Sequence, residues 1–409
     1  MKVLIADKFE KVGIDGLKEL GCRVVSLPDL TAEGLPAALK EHDPHILIVR
    51  STRVTAPAIA SGTSLSLIIR AGAGIDTIDV DAASDRGVFV SNCPGKNSIA
   101  VAELVMGLLL ACDRRIPDQV ADLRAGRWNK AEYSKARGLY GRTLGIVGLG
   151  QIGREIAVRA QGFGMHVAAW SRHLTHAEAD RLRVRYCQTP LEVARVSDAV
   201  SINVAASADT RNLVNDEFLA AMRPGAYLIN TSRGSVVEEQ ALARAIREKG
   251  IRAGLDVYQI EPAGGTGAFE DPIVREPGVY GTHHVGASTE QAQVAIAHEV
   301  IRIVQEFMDS GNVPNVVNRL ARSSATHVLA VRHRNRPGVL ADVFRVLADR
   351  QINVEEVENI IYHGAHATCA RIHLDGAPDA AALEAIRRTN ENIISVELAE
   401  IDHKARSHD

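Results

Sequence analysis

The sequence is poor in the residues that mark several classes of protein. Its 409 residues include five scattered cysteines and no C-x-x-C pair. This pattern argues against both a zinc site and a disulfide framework, predicts no metal site, and favours the reducing cytoplasm. Aromatic residues make up only 4% and the net charge is −3. With no basic excess to neutralise phosphates, we expect no binding of nucleic acid.

Long apolar runs are also lacking. The longest, at residues 104–112, has nine residues, whereas about twenty are needed to cross a bilayer. We therefore expect no membrane-spanning helix and no membrane partner. The first apolar run, at residues 3–6, is too short for the core of a signal peptide and is typical of a β-strand. The length predicts two or three domains.

Short β-rich runs alternate with helical patterns through the first three quarters of the chain, which predicts parallel sheets with crossover helices. The runs fall into two series, at 3–6, 46–49 and 67–69, and at 143–147, 166–169, 199–202, 226–229 and 253–257. We interpret them as two Rossmann-like, doubly wound α/β domains. Long helices at 97–119 and 288–308 connect them, so that one domain is discontinuous (1–96 and 291–320) and the other spans 97–290.

A different pattern follows Pro314. Strands are predicted at 326–332, 352–362, 367–374 and 392–398, and helices at 338–350 and 380–388. This βαββαβ order is that of a ferredoxin-like unit, which we place at 325–402. The unit contains no catalytic cluster, so we expect it to serve regulation or assembly.

A glycine motif opens the second α/β domain. Gly148, Gly150 and Gly153 form a G-x-G-x-x-G pattern that follows a strand and precedes a helix, with Gln151 and Ile152 inside it. The glycines allow a tight turn and a close approach to a pyrophosphate at the helix N-terminus. The pattern predicts a dinucleotide site; the alternative is a loop that is only structural.

The residues expected at the adenine ribose are Ser171 and Arg172, where NAD enzymes usually have an acidic residue. A guanidinium pairs with a 2′-phosphate, which favours NADP. The alternative is that Arg172 stacks near adenine in an enzyme that uses NAD. The cofactor is therefore predicted to be NAD or NADP.

Three polar residues follow successive strands of this domain: Arg233, Glu261 and His284. The carboxyl ends of the strands line the ligand crevice of such a sheet. Arginine can bind a carboxylate through two hydrogen bonds, and histidine can take a hydroxyl proton. A carboxylate beside the histidine orients its ring. Together they fit hydride transfer at a 2-hydroxy acid.

Residues 1–320 resemble the D-isomer-specific 2-hydroxyacid dehydrogenases. The matching stretches are 70–76, 148–153, 222–225, 233–234, 256–257, 261–262 and 284–289. The resemblance implies that Arg233, Glu261 and His284 are catalytic and that Asp256 contacts the nicotinamide carboxamide. The sequence departs from the family at His283, which replaces a proline, and at 203–207, which replace a His-x-Pro-Leu-Thr loop.

Residues 326–400 resemble an ACT domain, a module that binds small regulatory ligands. The combination is similar to the phosphoglycerate dehydrogenase branch of the family, which implies oxidation of 3-phosphoglycerate in serine synthesis. His333, Asn335 and Asn353 match that branch's serine-binding positions, although the asparagines alternatively cap turns. The resemblance implies L-serine as effector and a homo-oligomer, either a dimer or a tetramer.

The substrate phosphate requires cations in the first domain. Arg50 and Arg70 fit the family pattern, and Gly72 and Gly74 lie in the matching loop; the alternative is that the arginines are solvated surface residues. Two other functions remain open. One is a glyoxylate or hydroxypyruvate reductase using NADP, or another D-2-hydroxyacid dehydrogenase, and the other is a dinucleotide-sensing, corepressor-like binding protein.

Overall fold

The computed structural model describes residues 1–262, 266–320 and 323–401. The chain divides into two compact units, Met1–Asn318 and a second that begins at Arg319. The predicted end of the last domain, residue 402, lies outside the described residues. No helix in the described part of the chain is long and apolar enough to cross a membrane.

The first unit contains two parallel sheets. The first sheet has the strands β1 (Lys2–Ile5), β2 (Arg23–Ser26), β3 (Ile46–Val49), β4 (Leu67–Arg70) and β5 (Phe89–Asn92). Its helices are α1 (Lys11–Glu19), α2 (Leu35–His42), α3 (Ala56–Ser61) and α4 (Val80–Asp85). The strand order is β2-β1-β3-β4-β5.

Both faces of this sheet are covered. Leu4 belongs to one buried apolar cluster, while Val3 and Ile5 belong to another. Alternate side chains of a strand point to opposite faces, so a strand buried on both faces needs a continuous apolar run. This explains why the sequence of β1 shows no polar alternation.

A kinked helical segment leads to the second sheet. It comprises α5 (Ser98–Arg114), α6 (Ile116–Arg124) and the short α7 (Lys130–Tyr133). The prediction of one helix over 97–119 was wrong, because Arg115 adopts a left-handed conformation with φ 53° and a new helix starts after it. Pro117, which has no N–H to donate, fits the first turn of α6 but not the interior of a continuous helix.

The second sheet has seven parallel strands. They are β6 (Thr143–Val147), β7 (His166–Trp170), β8 (Arg185–Tyr186), β9 (Ala199–Ile202), β10 (Tyr227–Asn230), β11 (Arg252–Leu255) and β12 (Val279–Gly281). Its helices are α8 (Gln151–Gly162), α9 (His176–Arg181), α10 (Pro190–Val196), α11 (Asp216–Ala221) and α12 (Glu239–Lys249). The order β12-β11-β10-β9-β6-β7-β8 reverses between β9 and β6. A ligand crevice is expected at such a switch point.

The helix α13 (Glu290–Ser310) takes the chain back to the first sheet. Its buried residues Ile296, Val300 and Ile303 share a cluster with Val3 and Ile5 of β1. The helix begins at Thr289, whose hydroxyl accepts a hydrogen bond from the N–H of Ala292, and it ends at the left-handed Gly311. The predicted return helix therefore exists, two residues further along than predicted at both ends.

The second unit confirms the predicted βαββαβ order. Its elements are β13 (His327–Arg334), α14 (Val339–Asp349), β14 (Val354–Ile361), β15 (Ala367–Leu374), α15 (Ala380–Thr389) and β16 (Ile393–Glu400). The strands form an antiparallel sheet in the order β14-β15-β13-β16. The fold class is therefore two Rossmann-like parallel sheets and a ferredoxin-like unit, as predicted.

Candidate active site

The glycine loop lies at the switch point of the second sheet, between β6 and α8. Gly148 has φ +100°, and a Cβ there would lie 2.6 Å from the carbonyl oxygen of Asn203. A Cβ at Gly153 would overlap the carbonyl oxygen of Gly148. Gly150 occupies the N-cap of α8, so the free N–H groups of the first helical turn are available to an anion. These residues fit a bound dinucleotide.

Gln151 and Ile152 form the first turn of α8. The side chain of Gln151 reaches Gly95, where a Cβ would overlap its Oε1. Gly95 also has φ +78°, a left-handed conformation that favours glycine at this position. Ile152 is partly buried and packs against the core beneath the loop. The loop is thus held by contacts on both sides.

Ser171 and Arg172 follow β7, as predicted. Arg172 Nη2 lies 3.6 Å from the Oδ2 of Asp209, with the two side chains 65% and 82% exposed. A pair this exposed contributes little stability, so Arg172 is available to a ligand. Asp209 was missed in the sequence because it comes 37 positions after Arg172, in a loop that departs from the family pattern.

The loop after β10 presents Arg233. Its shape is set by the buried Asn230, whose Oδ1 accepts hydrogen bonds from the N–H (3.1 Å) and hydroxyl (2.8 Å) of Ser232. The Asn230 amide also donates to the carbonyl oxygen of Arg233 at 3.0 Å. A Cβ at Gly234 would overlap the carbonyl oxygen of Tyr258. The loop carrying Arg233 therefore packs directly on the loop that leads to Glu261.

Glu261 and His284 are in contact. His284 Nδ1 lies 2.7 Å from Glu261 Oε2, and the N–H of Tyr258 donates to Oε1 at 3.0 Å. Burial alone raises the pKa of Glu261, but the hydrogen bonds from His284 and Tyr258 and the charge of Arg233 outweigh it and hold the pKa below its ordinary value. Glu261 is therefore an ionised acceptor that fixes the ring of His284.

Asp256 holds the histidine loop. It is buried, and its carboxylate accepts hydrogen bonds from the Thr282 hydroxyl at 2.6 Å and from the N–H groups of Val285 and Gly286, both at 2.9 Å. Its carbonyl oxygen accepts the N–H of His284 at 2.8 Å. The sequence did not indicate this role. The predicted contact of Asp256 with nicotinamide stays a prediction.

Arg70, the last residue of β4, lies near two other arginines, Arg233 and Arg50. Burial lowers the pKa of Arg70, and the positive charges of Arg233 and Arg50 lower it further. Arg70 Nε is buried and has no hydrogen-bond partner among the residues that the structure describes. A Cβ at Gly72, which has φ +154°, would overlap Arg70 Nη1. A guanidinium next to other cations, with a buried Nε that lacks a partner among the described residues, suits an anionic ligand.

Asp76 is the second residue that the sequence analysis missed at this site. Its Oδ2 accepts hydrogen bonds from Arg233 Nη2 at 2.7 Å and Nε at 2.9 Å. A Cβ at Gly74 would overlap Arg233 Nη2. The glycine-rich loop after β4 therefore contacts the loop after β10, and the quoted motif 70–76 already contained this acidic residue.

Two of the three predicted regulatory residues, His333 and Asn335, lie together at one end of the sheet, and Asn353 lies at the other end. His333 is buried, with Nδ1 2.9 Å from the carbonyl oxygen of Arg334 and Nε2 2.8 Å from the Thr368 hydroxyl. Asn335, just beyond β13, donates to the carbonyl oxygen of Ala365 at 3.1 Å. Asn353 lies at the opposite end of the sheet, before β14, and donates to Glu355 at 3.0 Å.

The strand register gives the distance between His333 and Asn353. His333 pairs with Thr368, whereas Val354, the residue after Asn353, pairs with Leu374. Six residues along β15 correspond to about 20 Å. A single small ligand cannot touch both His333 and Asn353 of the same chain.

Comparison with known proteins agrees with this geometry. A model described as D-isomer specific 2-hydroxyacid dehydrogenase, NAD binding domain, matches residues 106–286, and one described as ACT domain matches residues 327–358. A hydroxypyruvate reductase of Thermotoga maritima is 40% identical over 258 residues, which is 63% of this chain and 82% of that protein. The chain belongs to the D-isomer-specific 2-hydroxyacid dehydrogenase family.

Two further proteins are similar to this chain over 78% of its length. A D-3-phosphoglycerate dehydrogenase of Methanocaldococcus jannaschii is 37% identical over 320 residues, 78% of this chain. The chain spans only 59% of the length of that relative. An NADPH-dependent glyoxylate/hydroxypyruvate reductase of Sinorhizobium meliloti, solved with NADP and malonate, has a TM-score of 0.67 and 29% identity, covering 78% of this chain and 99% of its own.

Proposed function

We propose that this dehydrogenase interconverts 3-phosphoglycerate and 3-phosphohydroxypyruvate, the first step of L-serine biosynthesis, in the cytoplasm. The observation that supports its chemistry most directly is the contact of His284 with Glu261 at 2.7 Å. The relative from Methanocaldococcus, which is named for 3-phosphoglycerate, and the ACT match support the substrate. The five free cysteines, all buried, are consistent with a reducing compartment.

His284 is the proposed proton carrier. Because Nδ1–H of His284 donates its hydrogen bond to Glu261, the other ring nitrogen, Nε2, can take the proton of the substrate hydroxyl. Glu261 also stabilises the imidazolium that results, since its low pKa keeps it ionised. The nicotinamide, when bound, supplies the chemistry of accepting or donating the hydride.

Arg233 is proposed to bind the substrate carboxylate and to polarise the neighbouring C2–oxygen bond. Arg50 and Arg70 are proposed to bind the phosphate. The charge effect of Arg50 and Arg233 on Arg70 supports a shared anion site, as does the buried Nε of Arg70, which has no partner in the described part of the chain. In this proposal Gly72 leaves space for Arg70 and Gly74 for Arg233, rather than contacting the substrate themselves.

The dinucleotide is proposed to lie along Gly148, Gly150 and Gly153, with Gln151 and Ile152 beneath it and Asp256 near the nicotinamide. Arg172, beside Ser171, favours NADP because it is 65% exposed and paired with the still more exposed Asp209 at 3.6 Å. The family model that matches is an NAD binding domain. We propose that the enzyme uses both, with Arg172 giving affinity for the 2′-phosphate.

Each part of the chain has a proposed task. Residues 1–96 and 291–320 form the substrate-binding domain, 97–290 form the dinucleotide-binding domain, and 325–402 form the regulatory domain. The packing of α13 on β1 supports the discontinuous assignment.

L-serine is the proposed effector of the regulatory domain, acting in a homo-oligomer. A two-fold axis perpendicular to the strands would put one end of this sheet beside the opposite end of the sheet of a second copy. Such an arrangement would bring His333 and Asn335 of one copy near Asn353 of the other, which one chain cannot do. Effector binding would then stabilise one arrangement of the subunits over another.

A second candidate is a glyoxylate or hydroxypyruvate reductase. The Thermotoga and Sinorhizobium relatives have such names, and Arg172 suits NADP. The ACT match argues against it, because a reductase of this kind needs no feedback module. A corepressor-like role is disfavoured by the ordered contact of Glu261 with His284.

The test is a panel of initial rates with NAD and with NADP. The substrates are 3-phosphoglycerate and D-glycerate, which differ by the phosphate, and glyoxylate and hydroxypyruvate in the reverse direction. The proposal expects 3-phosphoglycerate to exceed D-glycerate at least about a hundredfold in kcat/KM, and Arg70→Ala to remove that preference. Equal use of both, with faster reduction of glyoxylate, would establish the reductase instead. L-serine should lower the rate of the intact chain.

A further inference from the structure

We infer that Asp76 is a positioning residue that holds the guanidinium of Arg233 in the orientation needed to bind the substrate carboxylate. The inference rests on the proposed function of Arg233. Asp76 lies on the loop after β4 of the first sheet, whereas Arg233 lies on the loop after β10 of the second. The contact therefore joins the two sheets at the place where the substrate would bind.

The hydrogen bonds define which edge of Arg233 is used. Nε and Nη2 both donate to Asp76 Oδ2, at 2.9 Å and 2.7 Å. Nη1 donates to the carbonyl oxygen of Ser232 at 2.7 Å. A guanidinium has five N–H groups, so these three bonds leave one N–H on each terminal nitrogen. Two N–H groups are what a substrate carboxylate needs for a bidentate pair.

Gly74 is the second part of this arrangement. A side chain at Gly74 would meet Arg233 Nη2 first, and its Cβ would also lie 3.1 Å from Asp76 Oδ2. The guanidinium of Arg233 therefore packs directly against the backbone of the loop at Gly74. The same loop accommodates Arg70 at Gly72, so the two glycines of the motif each leave space for one arginine.

Charge alone gives the opposite expectation, which makes the inference testable. Asp76 is a negative group near the cations Arg233 and Arg70. If Asp76 were only a counter-ion, its removal would make the site more positive and would strengthen binding of an anionic substrate. If it positions Arg233, its removal frees the guanidinium to rotate and weakens binding.

Two substitutions separate these effects. Asp76→Ala removes both charge and acceptor and should raise KM for the substrate by about ten- to a hundredfold, with a smaller fall in kcat. Asp76→Asn keeps an oxygen acceptor without the charge, so KM should stay within about threefold of wild type or fall below it. A decrease of KM in both variants, or no change in Asp76→Ala, would overturn the inference.

Gly74→Ala provides an independent variant that changes no charge. It should raise KM in the same way as Asp76→Ala, because the new methyl group displaces Nη2. The matched controls are Gly107→Ala, at an exposed helical glycine with no atom within 4 Å of its Cβ, and Asp216→Ala, which breaks the exposed pair with Arg244. Both controls should keep the wild-type KM. A Gly74→Ala variant with unchanged KM would contradict the inference.

A binding measurement distinguishes failure of the inference from failure of the proposed function. Calorimetric titration of the NAD-loaded intact chain with oxalate, a carboxylate probe, should show weaker affinity in Asp76→Ala than in Asp76→Asn. If wild type binds oxalate but oxidises no 2-hydroxy acid, the proposed function is wrong and this comparison still decides the role of Asp76. Equal oxalate affinity in wild type and Asp76→Ala would overturn that role, as would no oxalate binding to wild type.

Discussion

His284 Nδ1 lies 2.7 Å from Glu261 Oε2, across an interval of 23 residues. The backbone on each side of this contact is fixed separately. Asp256 accepts hydrogen bonds from the histidine loop, and the N–H of Tyr258 donates to the other oxygen of Glu261. His284 itself has φ +54°, an uncommon conformation for a residue other than glycine. The ring is therefore oriented by its loop and by its partner.

Glu261→Gln should reduce kcat by about a hundredfold or more and change KM little, because the ring keeps a neighbour but loses the charge that stabilises imidazolium. Steady-state rates of wild type and variant, measured as a function of pH, test this prediction. The pKa of Glu261 lies below its ordinary 4.5. The ionised form is therefore present above pH 4.5, and its contribution is lost as the pH falls through the lower, folded-state pKa. A Gln variant with wild-type kcat would show that Glu261 has no part in catalysis.

His284→Ala should lose far more turnover than His283→Ala, by about a hundred- to ten-thousandfold in kcat. The reason is that Glu261 contacts His284, and a general base needs a fixed ring. His283→Ala is the matched control because it removes the adjacent, exposed imidazole. Cofactor affinity should be preserved in both variants. The assignment fails if His283→Ala alone abolishes turnover in a folded protein.

Much of this fold could be predicted because its strands are buried on both faces. A run such as 143–147 therefore stands out from its surroundings, and β6 covers the same residues. The edge strands β2, β5, β8 and β12 were missed, since they are short, partly exposed and lack long apolar runs. The break at Arg115 was missed because apolar spacing continues through Ile116, which is 47% exposed in the structure.

The candidate site was predictable where a motif contains the chemistry. Arg233, Glu261 and His284 each follow a strand of one sheet, and the sheet brings them to one edge. The contact of Asp76 with Arg233 spans 157 residues and joins two sheets, so no local pattern reports it. The separation of His333 from Asn353 depends on strand register, which is likewise invisible before the sheet is known.

Arg172→Ala should weaken binding of NADP more than that of NAD, by about 1–3 kcal/mol for one lost charged contact. Asp209→Ala, which frees Arg172 from its 3.6 Å partner, should have the opposite effect and strengthen NADP binding slightly. Calorimetric titration of wild type and both variants with NAD and with NADP measures these affinities. Equal losses for NAD and NADP in Arg172→Ala would mean that the guanidinium stacks or packs and binds no phosphate.

Glu299 on α13 links the returning helix to the segment that follows it and to the segment that precedes α5. It contacts Arg302 at 2.6 Å, Asn315 at 2.8 Å and Lys96 at 3.2 Å, and it is only 6% exposed. The hydrogen bond from Arg302 is the largest of the effects that lower the pKa of Glu299 to about 2; burial opposes them and the contacts with Asn315 and Lys96 add to them. Relative to the ordinary 4.5, this lowering corresponds to about 3 kcal/mol of stability at neutral pH.

Glu299→Gln should therefore lower the free energy of unfolding of the first unit by about 2–3 kcal/mol at neutral pH. Because the folded-state pKa is lowered, the contribution of Glu299 is complete above pH 4.5 and is lost as the pH falls towards 2. The difference in unfolding free energy between wild type and variant should therefore become smaller as the pH falls over that range. Urea unfolding followed by fluorescence measures it, since both tryptophans, Trp128 and Trp170, lie in this unit. A difference in unfolding free energy that does not change with pH would contradict the attribution of this stability to the ionised Glu299.

The measurement that tests the account most directly is the transfer of deuterium from C2 of 3-phosphoglycerate to the nicotinamide. The account predicts that the wild-type chain yields deuterated reduced cofactor, detected by NMR, and that His284→Ala yields essentially none in the same time. Deuterated cofactor formed at the wild-type rate by His284→Ala would contradict the proposed mechanism. Reduced cofactor without deuterium, or no reaction with 3-phosphoglycerate while another 2-hydroxy acid transfers its deuterium, would contradict the proposed substrate chemistry.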